Sequence, residues 1–326
     1  MISVAICTHN PRPTLFGRCL SALRTQACSP EPWEVVVIDN ASSTPLTETG
    51  LTPLAGGSFP VSFRVVREAR IGLIHARETA LREACGDTLL FVDDDNLLSP
   101  TYLACASRFL AGHPEAGIVG GRSRGEFESP PPPWFPRVAE YLAVRDLGPQ
   151  CGRADRDLPF GAGMVVRRKC YDQALKTPFL LTGRKGNQVV SGEDTELCIR
   201  AGRDGWQVWY DGNLEFVHYM ESRRLTLEYH RKLQHGFGLA RPYIELYQAT
   251  DSSSRRSTCL RRALGHWRKA TACRRSLPAA VETRADLEAH LGQAFEMGLA
   301  HGLWSLATGP AVWKDIERHY PSRLGS

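Results

Sequence analysis

The chain reads TLLFVDDDNLLSP from Thr88 to Pro100, a short apolar run that ends in three consecutive aspartates. An uninterrupted apolar run of this length predicts a fully buried strand. Ser99 and Pro100 suit a helix N-cap and a first helical residue, so a helix is expected to follow directly. The aspartates would then lie at the carboxyl end of a core strand, the edge at which open α/β sheets bind ligands.

Three neighbouring carboxylates repel one another unless a cation or hydrogen-bond donors offset their charge. Oxygen ligands suit Mg2+ or Mn2+, which commonly bridge a protein carboxylate to substrate phosphates. The alternative is an acidic turn in solvent, which a single Asp-Asp pair would favour. An apolar strand that leads directly into Asp93, Asp94 and Asp95 favours a metal–phosphate site instead.

The stretches before the triplet predict the rest of a parallel sheet. Strand patterns occupy residues 2–8, 33–38 and 61–67. A helical pattern to about residue 26 follows the first strand, and a Ser/Thr/Gly/Pro loop at 41–60, with a short helix near 46–49, follows the second. This alternation indicates an α/β protein with a doubly wound, parallel sheet, in which Thr8 and Asp39 converge with the triplet on one crevice. No GxGxxG follows the first strand and no GxxxxGK[ST] occurs, which disfavours dinucleotide-type and Walker-type phosphate binding.

Local patterns give further assignments. The helix that ends near residue 84 is predicted to turn Ile74, Leu81 and Cys85 inward and Arg77 elsewhere. Trp134, in a proline-rich segment, is either part of a surface spacer or a ring that could stack on a sugar or base. The later assignments are short strands at 116–120, 160–166, 206–210 and 214–218, a long loop at 121–136 and a candidate lid at 176–190.

A second acidic group reads SGEDTEL from Ser191 to Leu197. Ser191 and Asp194 have capping-box-like spacing, so Glu193 and Asp194 could simply stabilise the start of a helix. His218 closes an apolar strand, where a histidine is more often packed in the core than bound to a metal. Taken alone, these residues favour the structural interpretation.

Composition restricts the class of protein. The chain has 326 residues, 42% hydrophobic and 23% charged, with a net charge of +5 that does not by itself indicate nucleic-acid binding. The ten cysteines lack CxxC or zinc-type spacing and indicate a reducing, cytoplasmic location. No apolar run approaches the ~18 residues of a membrane span, so none is expected.

Residues 223–326 are predicted to form helices, including about 280–306 and 310–319, and small residues such as Gly298 and Gly302 suggest close helix packing. Paired basic residues recur between 255 and 275, beside an apolar stripe that includes Leu264 and Trp267. One interpretation is a helix that packs its stripe on the core and keeps the basic residues in water. The other is an interfacial helix at an anionic membrane that carries a lipid-linked acceptor.

Five motifs in this order resemble family 2 glycosyltransferases with the GT-A fold. They are VAICTHN at 4–10, VIDNAS at 37–42, ARIG with AR at 69–77, FVDDD at 91–95 and GEDTEL at 192–197, followed by His218. The resemblance covers about residues 1–220. It implies a Rossmann-like, mostly parallel sheet flanked by helices over 1–222, with a helical C-terminal region at 223–326.

The resemblance also implies a role for each matched residue, and it reverses the structural interpretation of Asp194 and His218. Asp95 would bind Mg2+ or Mn2+, with His218 as a further metal ligand. Asp194 would be the general base, with Glu193 beside it. The expected donor-binding residues are Thr8, Asn10, Asp39, Arg70, Arg77, Asp93, Asp94, Gly161 and Gly163.

The expected function is inverting transfer of a sugar from a nucleotide donor, with UDP as the expected nucleotide, to a glycan or lipid-linked acceptor. One alternative is a nucleotidyltransferase, which would require a glycine-rich phosphate loop after the first strand; residues 9–13 (HNPRP) match that poorly. Another is a non-catalytic sugar-nucleotide sensor or membrane scaffold, in which Asp95 or Asp194 would be lost, yet both are present.

Overall fold

The computed structural model of the protein describes residues 1–26, 31–181, 183, 191–248 and 256–309. The chain divides into two compact units. The first unit comprises residues 1–130, 138–176 and 197–221, and the second comprises 131–137, 177–196 and 222–326. Two earlier segments therefore join the C-terminal helices in the second unit, whereas the predicted division at residue 222 assigned both to the first.

The first unit contains a nine-stranded sheet among its described residues. Its strands are β1 (Ile2–Thr8), β2 (Trp33–Asn40), β3 (Ser62–Glu68), β4 (Thr88–Val92), β5 (Asn96–Leu98), β6 (Ala116–Phe127), β7 (Cys151–Arg153), β8 (Met164–Arg167) and β9 (Gln207–Met220). The order is β3-β2-β1-β4-β8-β6-β9-β5, with β7 beside β9. The first four strands in this order pair in parallel, which confirms the predicted α/β sheet.

The other half of the sheet has mixed directions. β8 is antiparallel to both β4 and β6, and β6 runs parallel to β9. The flanking helices are α1 (Pro13–Arg24), α2 (Glu48–Leu54), α3 (Leu73–Glu83), α4 (Tyr102–Gly112) and α5 (Arg168–Ala174). Helix α6 (Glu193–Arg203) begins in the second unit and continues into the first. The apolar core of the first unit lies between the sheet and these helices.

The segment after the triplet differs from its prediction. Ser99 does not cap a helix, because the chain first forms β5, which pairs antiparallel with β9. Helix α4 begins only at Tyr102, after Thr101. The backbone hydrogen bonds that β9 provides outweigh the local preference of Ser99 and Pro100 for a helix start.

Two predicted loops are strands. β6 continues to Phe127, and β9 runs without interruption through Asp211 and Gly212, where a turn was predicted. The two strands pair along most of their length, with a register shift next to Gly121. A Cβ at Gly121 would lie 1.8 Å from the Leu214 carbonyl oxygen, so this close approach requires glycine. Pairing between distant strands therefore overrides the local turn signal.

Helix α3 turns different residues inward from those predicted. Ile74 and Leu81 are buried as expected. Arg77, assigned elsewhere, is only 5% exposed, and Cys85, assigned to the core, is exposed beyond the helix end. Arg77 shares the buried face with Ile74 and Leu81, and its charge lies against β4.

The second unit is built from α7 (Leu227–Gln248), α8 (Arg256–Arg275) and α9 (Arg284–Thr308). The expected close packing is present at Gly298 and Gly302, where an added Cβ would lie 2.0 and 2.3 Å from carbonyl oxygens of α7. The predicted helix at 310–319, and most of the candidate lid at 176–190, lie outside the described residues. Within the described ranges, no helix combines the length and hydrophobicity that a bilayer crossing requires.

His230 on α7 is fully buried in the second unit. The rings of Trp134, Phe135 and Tyr229 meet it edge to face, at centroid distances of 5.3, 6.0 and 6.3 Å. Neither ring nitrogen has a hydrogen-bond partner among the described residues. Burial, with the nearby charge of Arg224, lowers the pKa of His230 to about 4.

This buried histidine predicts acid sensitivity. An unfolded His230 would titrate near pH ~6.5, so the unfolded chain binds the extra proton and stability falls as the pH drops from there toward about 4. Between about pH 7 and about pH 5 the contribution is about 2 kcal/mol. His230→Phe should remove this pH dependence of the free energy of unfolding, measured by chemical denaturation at several pH values. His75→Gln, at a half-exposed site, should retain it. Equal slopes in both variants would contradict the assignment.

Candidate active site

The acidic triplet is held in a tight turn at the carboxyl end of β4. The Asp93 amide donates to the Asn96 side-chain oxygen at 3.0 Å, and the Asn96 amide donates back to the Asp93 carbonyl at 3.1 Å. The Asn96 side chain is fully buried. This closed turn fixes the directions of the three carboxylates, so the fold of the first unit sets their position at the edge of the sheet.

Separate strands provide partners for two of the carboxylates. The Thr8 hydroxyl, at the end of β1, donates to Asp94. Asp95 Oδ1 lies 3.2 Å from His218 Nε2 and also accepts from the Asn96 side-chain amide at 3.0 Å. The β5–β9 register places Asn96 opposite His218, and the Tyr219 amide donates to the Asp95 carbonyl at 2.9 Å. Sheet pairing therefore brings the two predicted metal ligands together.

The donor set of Asp95 and His218 fits a divalent ion. Octahedral Mg2+ holds its ligands at 2.0–2.1 Å, so neighbouring ligand atoms lie about 3 Å apart, close to the observed 3.2 Å. No group of three or more His, Cys, Asp or Glu able to hold a metal occurs among the described residues. Such a two-residue site suits an ion that takes its remaining ligands from substrate phosphates and water.

Asp39 is buried at the end of β2, and both of its carboxylate oxygens accept hydrogen bonds. Its two oxygens accept from the Ser42 amide at 2.9 Å, the Leu46 amide at 3.2 Å and the Arg67 guanidinium at 2.7 Å. Burial opposes ionisation, but these hydrogen bonds outweigh it and lower the pKa of Asp39. Asn10, in the left-handed region at φ 51°, donates its backbone amide to Ser42 Oγ at 2.9 Å, so the segments that follow β1 and β2 are joined beside Asp39.

Arg70 forms an ion pair at the end of β3. Its guanidinium donates to both oxygens of Glu68 at 3.0 Å, and this contact is the main reason that the pKa of Glu68 is lowered to about 2. The Asn40 side chain donates to the Arg70 carbonyl at 2.7 Å and accepts from the Gly72 amide at 2.9 Å. Arg70 itself remains 56% exposed, so its charge can still face a ligand.

Arg77 lies against β4, the strand that leads into the acidic triplet. Its guanidinium carbon is 5.2 Å from the centre of the Phe91 ring, and a Cβ added at Gly161 would lie 2.2 Å from Arg77 Nη2. Gly163, at φ 68°, presents its carbonyl to the Tyr102 hydroxyl. The predicted strand over 160–166 begins only at Met164, so the two glycines form the approach to β8, and Gly161 makes room for Arg77.

Asp194 lies in the first turn of α6, in the second unit. The helix begins at Glu193, after Gly192 at φ 119°, so Ser191 lies one residue too early for the predicted capping box. Asp194 Oδ1 accepts from the neighbouring Thr195 amide at 2.7 Å. Its side chain is half-buried, whereas that of Glu193 is buried.

Glu196, in the same turn, has a structural role. It is fully buried and accepts from the amides of Leu180 and Leu181, at 2.9 and 2.7 Å, and from the Tyr247 hydroxyl. These bonds join residues 180–181 and the first turn of α6 to the end of α7.

Sequence reasoning missed three residues that organise the site. Asn96 closes the triplet turn, Arg67 pairs with Asp39, and Asn40 holds the segment around Arg70. The position of Asn96 after three aspartates, before a short apolar run, is a turn signal that could have identified it. Nothing in the local sequence distinguishes Arg67 from other basic residues, because its partner belongs to another strand.

The comparison with protein families decides the class of this site. A family model for glycosyl transferase family 2 matches residues 3–172, just over half of the chain. The chain belongs to glycosyl transferase family 2. The matched segment contains the triplet turn, Asp39 and Arg77, whereas Asp194 and His218 lie beyond it.

Related sequences agree with this family. A glucosyl-dolichyl phosphate glucuronosyltransferase of Haloferax volcanii is 22% identical over 70% of this chain and 72% of its own length. An uncharacterised glycosyltransferase of Bacillus subtilis, YfnE, is 36% identical over 31% of this chain. The chain covers only 25% of YfnE and 13% of a Sinorhizobium fredii relative that is 30% identical.

Solved structures confirm the GT-A fold of this chain. The mannosyltransferase PcManGT of Pyrobaculum calidifontis aligns over 99% of this chain and 81% of its own, with a TM-score of 0.52 and 20% identity. Residues 1–349 of TarS from S. aureus align over 96% and 91%, with a TM-score of 0.51 and 14% identity. At these identities the likeness concerns the fold alone.

The contact between Gly161 and Arg77 can be tested. In Gly161→Ala the new methyl group must displace the guanidinium, which is the flexible end of its side chain, so the loss of folding stability should stay near ~1 kcal/mol. Nucleotide affinity, measured by calorimetric titration, should fall about tenfold. Gly152→Ala, where an added Cβ meets nothing within 4 Å, is the matched control and should change neither quantity.

A double-mutant cycle separates the two residues. If Gly161→Ala acts through Arg77, then Arg77→Gln should lose a similar affinity and the double variant should lose no more. Fully additive losses would show that the alanine acts directly on the ligand.

Proposed function

We propose that this enzyme is a metal-dependent, inverting glycosyltransferase that moves a sugar from a nucleotide donor to a hydroxyl of a glycan or glycolipid. The observation that carries the proposal is the triplet turn, in which Asp95 lies 3.2 Å from His218 at the carboxyl edge of the sheet. UDP is the proposed nucleotide. Such transfer is the chemistry of polysaccharide and glycolipid biosynthesis.

The residues around the turn supply the proposed donor site. Asp39 would accept a hydrogen bond from the base edge, because a carboxylate has lone-pair positions beyond those its three partners use. Arg70 and Arg77 would offset negative charge on the diphosphate, and Asp93 would contact the ribose or the donor sugar. Thr8 and Asn10 would line the nucleotide pocket, with Asp94 held by Thr8.

Mg2+ or Mn2+ would be held by Asp95 and His218. When bound, the ion would offset the charge that develops on the departing nucleoside diphosphate. The protein's own contribution is to hold both ligands at the correct spacing through Asn96 and the β5–β9 pairing. PcManGT is described in complex with GDP-Man and Mn2+, which supports including Mn2+ in the test.

Asp194 is the proposed general base, with Glu193 beside it. Its half-buried carboxylate at a helix N-terminus can accept the proton of an acceptor hydroxyl while that oxygen attacks the sugar. Positioned proton transfer contributes roughly 10²–10⁴-fold to the rate. A single displacement with one base inverts the anomeric centre. Burial raises the pKa of the Cys7 thiol in β1 to about 12, so this cysteine is a poor candidate nucleophile for retention.

We also propose a cytoplasmic location, with peripheral contact at the inner face of the membrane. The proposal rests on the cysteines, which have neither CxxC nor zinc-type spacing.

The decisive experiment measures the release of nucleoside diphosphate from UDP-, GDP- and dTDP-sugars, with Mn2+, Mg2+ or EDTA. TarS is described with UDP-GlcNAc and PcManGT with GDP-Man, so both donors belong in the panel. Release with one nucleotide should disappear with EDTA and in Asp95→Asn. Asp194→Asn should lower it by roughly 10²–10⁴-fold while nucleotide binding persists. Asp155→Asn, at a carboxylate that is 69% exposed, is the matched control and should keep full activity.

Nucleotide-dependent thermal shifts separate the remaining outcomes, because a bound ligand raises the melting temperature. A shift without turnover by any donor, even with candidate acceptors, would support a non-catalytic sensor. The absence of any shift would overturn the nucleotide-sugar proposal. Release that resists EDTA would overturn only its metal-dependent part.

A further inference from the structure

Helix α8 has an unusual charge composition. Its 20 residues include seven basic and no acidic side chains. The sequence left two interpretations, a helix that packs its apolar stripe on the core and a helix that meets a membrane. The exposure of its individual side chains distinguishes them.

Small residues form the packed side of α8. The buried side chains are Cys259, Ala263 and Ala270, which face the other helices of the second unit. Two ion pairs fasten this side, from Arg262 to Glu245 on α7 at 2.9 Å and from Lys269 to Glu296 on α9 at 2.5 Å. Leu260 also packs partly against this core, so the helix is anchored without Leu264 and Trp267.

Those large residues point outward. Leu264 is 49% exposed and Trp267 is 51% exposed, so these two residues do not pack on the core as the first interpretation requires. Spacings of three and four residues place Arg261 and Arg268 next to Leu264, and Arg275, seven residues after Arg268, lies further along the same face. One helix face thus combines two exposed apolar side chains with a row of arginines.

The charge on this face is not neutralised internally. Arg261, Arg268, Arg274 and Arg275 are exposed, and none forms an ion pair with a carboxylate of the described chain. Holding this many like charges side by side is unfavourable unless an anionic partner is present. A partner must therefore offer negative charge over the length of a helix and an apolar layer that accepts indole and isobutyl groups.

We propose that the exposed face of α8 binds the surface of an anionic phospholipid bilayer. Leu264 and Trp267 enter the boundary between headgroups and acyl chains, and Arg261, Arg268 and Arg275 contact lipid phosphates. A second copy of this chain would place the same positive face against itself, so charge favours the bilayer over self-association. The inference deepens the peripheral membrane contact proposed above and does not depend on the transfer chemistry, since binding can be measured without any donor.

Vesicle co-sedimentation of the full chain tests this directly. Vesicles of phosphatidylcholine with about 30% phosphatidylglycerol should bind the protein, and vesicles of pure phosphatidylcholine should bind far less. High salt should weaken the binding because it screens the arginines. Arg268→Gln should lower the partition coefficient roughly five-fold. Arg156→Gln, at an exposed basic residue of the first unit, is its control and should not change it.

Trp267→Ser tests the apolar contribution. Its matched control is Trp304→Ser, because Trp304 on α9 is 52% exposed but lies outside the basic face. Trp267→Ser should reduce binding several-fold, and Trp304→Ser should leave it unchanged. Circular dichroism confirms that each variant is folded, and diphosphate release from the donor, measured without vesicles, should be the same in all of them.

Three results would overturn the inference. The first is equal binding to neutral and anionic vesicles. The second is an equal loss in Trp267→Ser and Trp304→Ser. The third is self-association in light scattering that Trp267→Ser abolishes, without vesicle binding, which would identify the face as an interface between copies.

Discussion

Repulsion among three adjacent carboxylates is the constraint on which the rest of the site depends. An apolar strand cannot end in such a group without an arrangement that holds the charges in place. Here Asn96 closes the turn, the Thr8 hydroxyl donates to Asp94, and His218 lies against Asp95. Each partner belongs to a different stretch of chain, so the fold must be complete before the acidic edge is ordered.

The mixed half of the sheet provides one of these partners, His218. A purely parallel sheet would end its strands on the same side and would leave β5 without a neighbour. The long strand β9 pairs with β5 on one side and with β6 on the other, and this carries His218 to the triplet edge. Gly121 allows this register, because a side chain there would collide with β9.

The second unit combines close helix packing with carboxylates in different environments. Its helices approach one another closely at Gly298 and Gly302, and its core also contains large apolar residues such as Leu299 and Leu303. Glu196 is buried and fully bonded, whereas Asp194, two residues earlier, is half-buried at the start of the same helix. Two carboxylates of one turn thus have different environments.

The sequence by itself determined the α/β class, the family and the location of the acidic turn, because apolar runs and charge patterns act over a few neighbouring residues. It misplaced the start of α4 and the ends of β6 and β9, where pairing with distant strands outweighs local preference. Only the tertiary structure decided that Asp95 meets His218, that Arg77 is buried and that Trp267 faces outward. Each of these depends on residues far apart in the chain, whose contacts exist only after the sheet and the helices have packed.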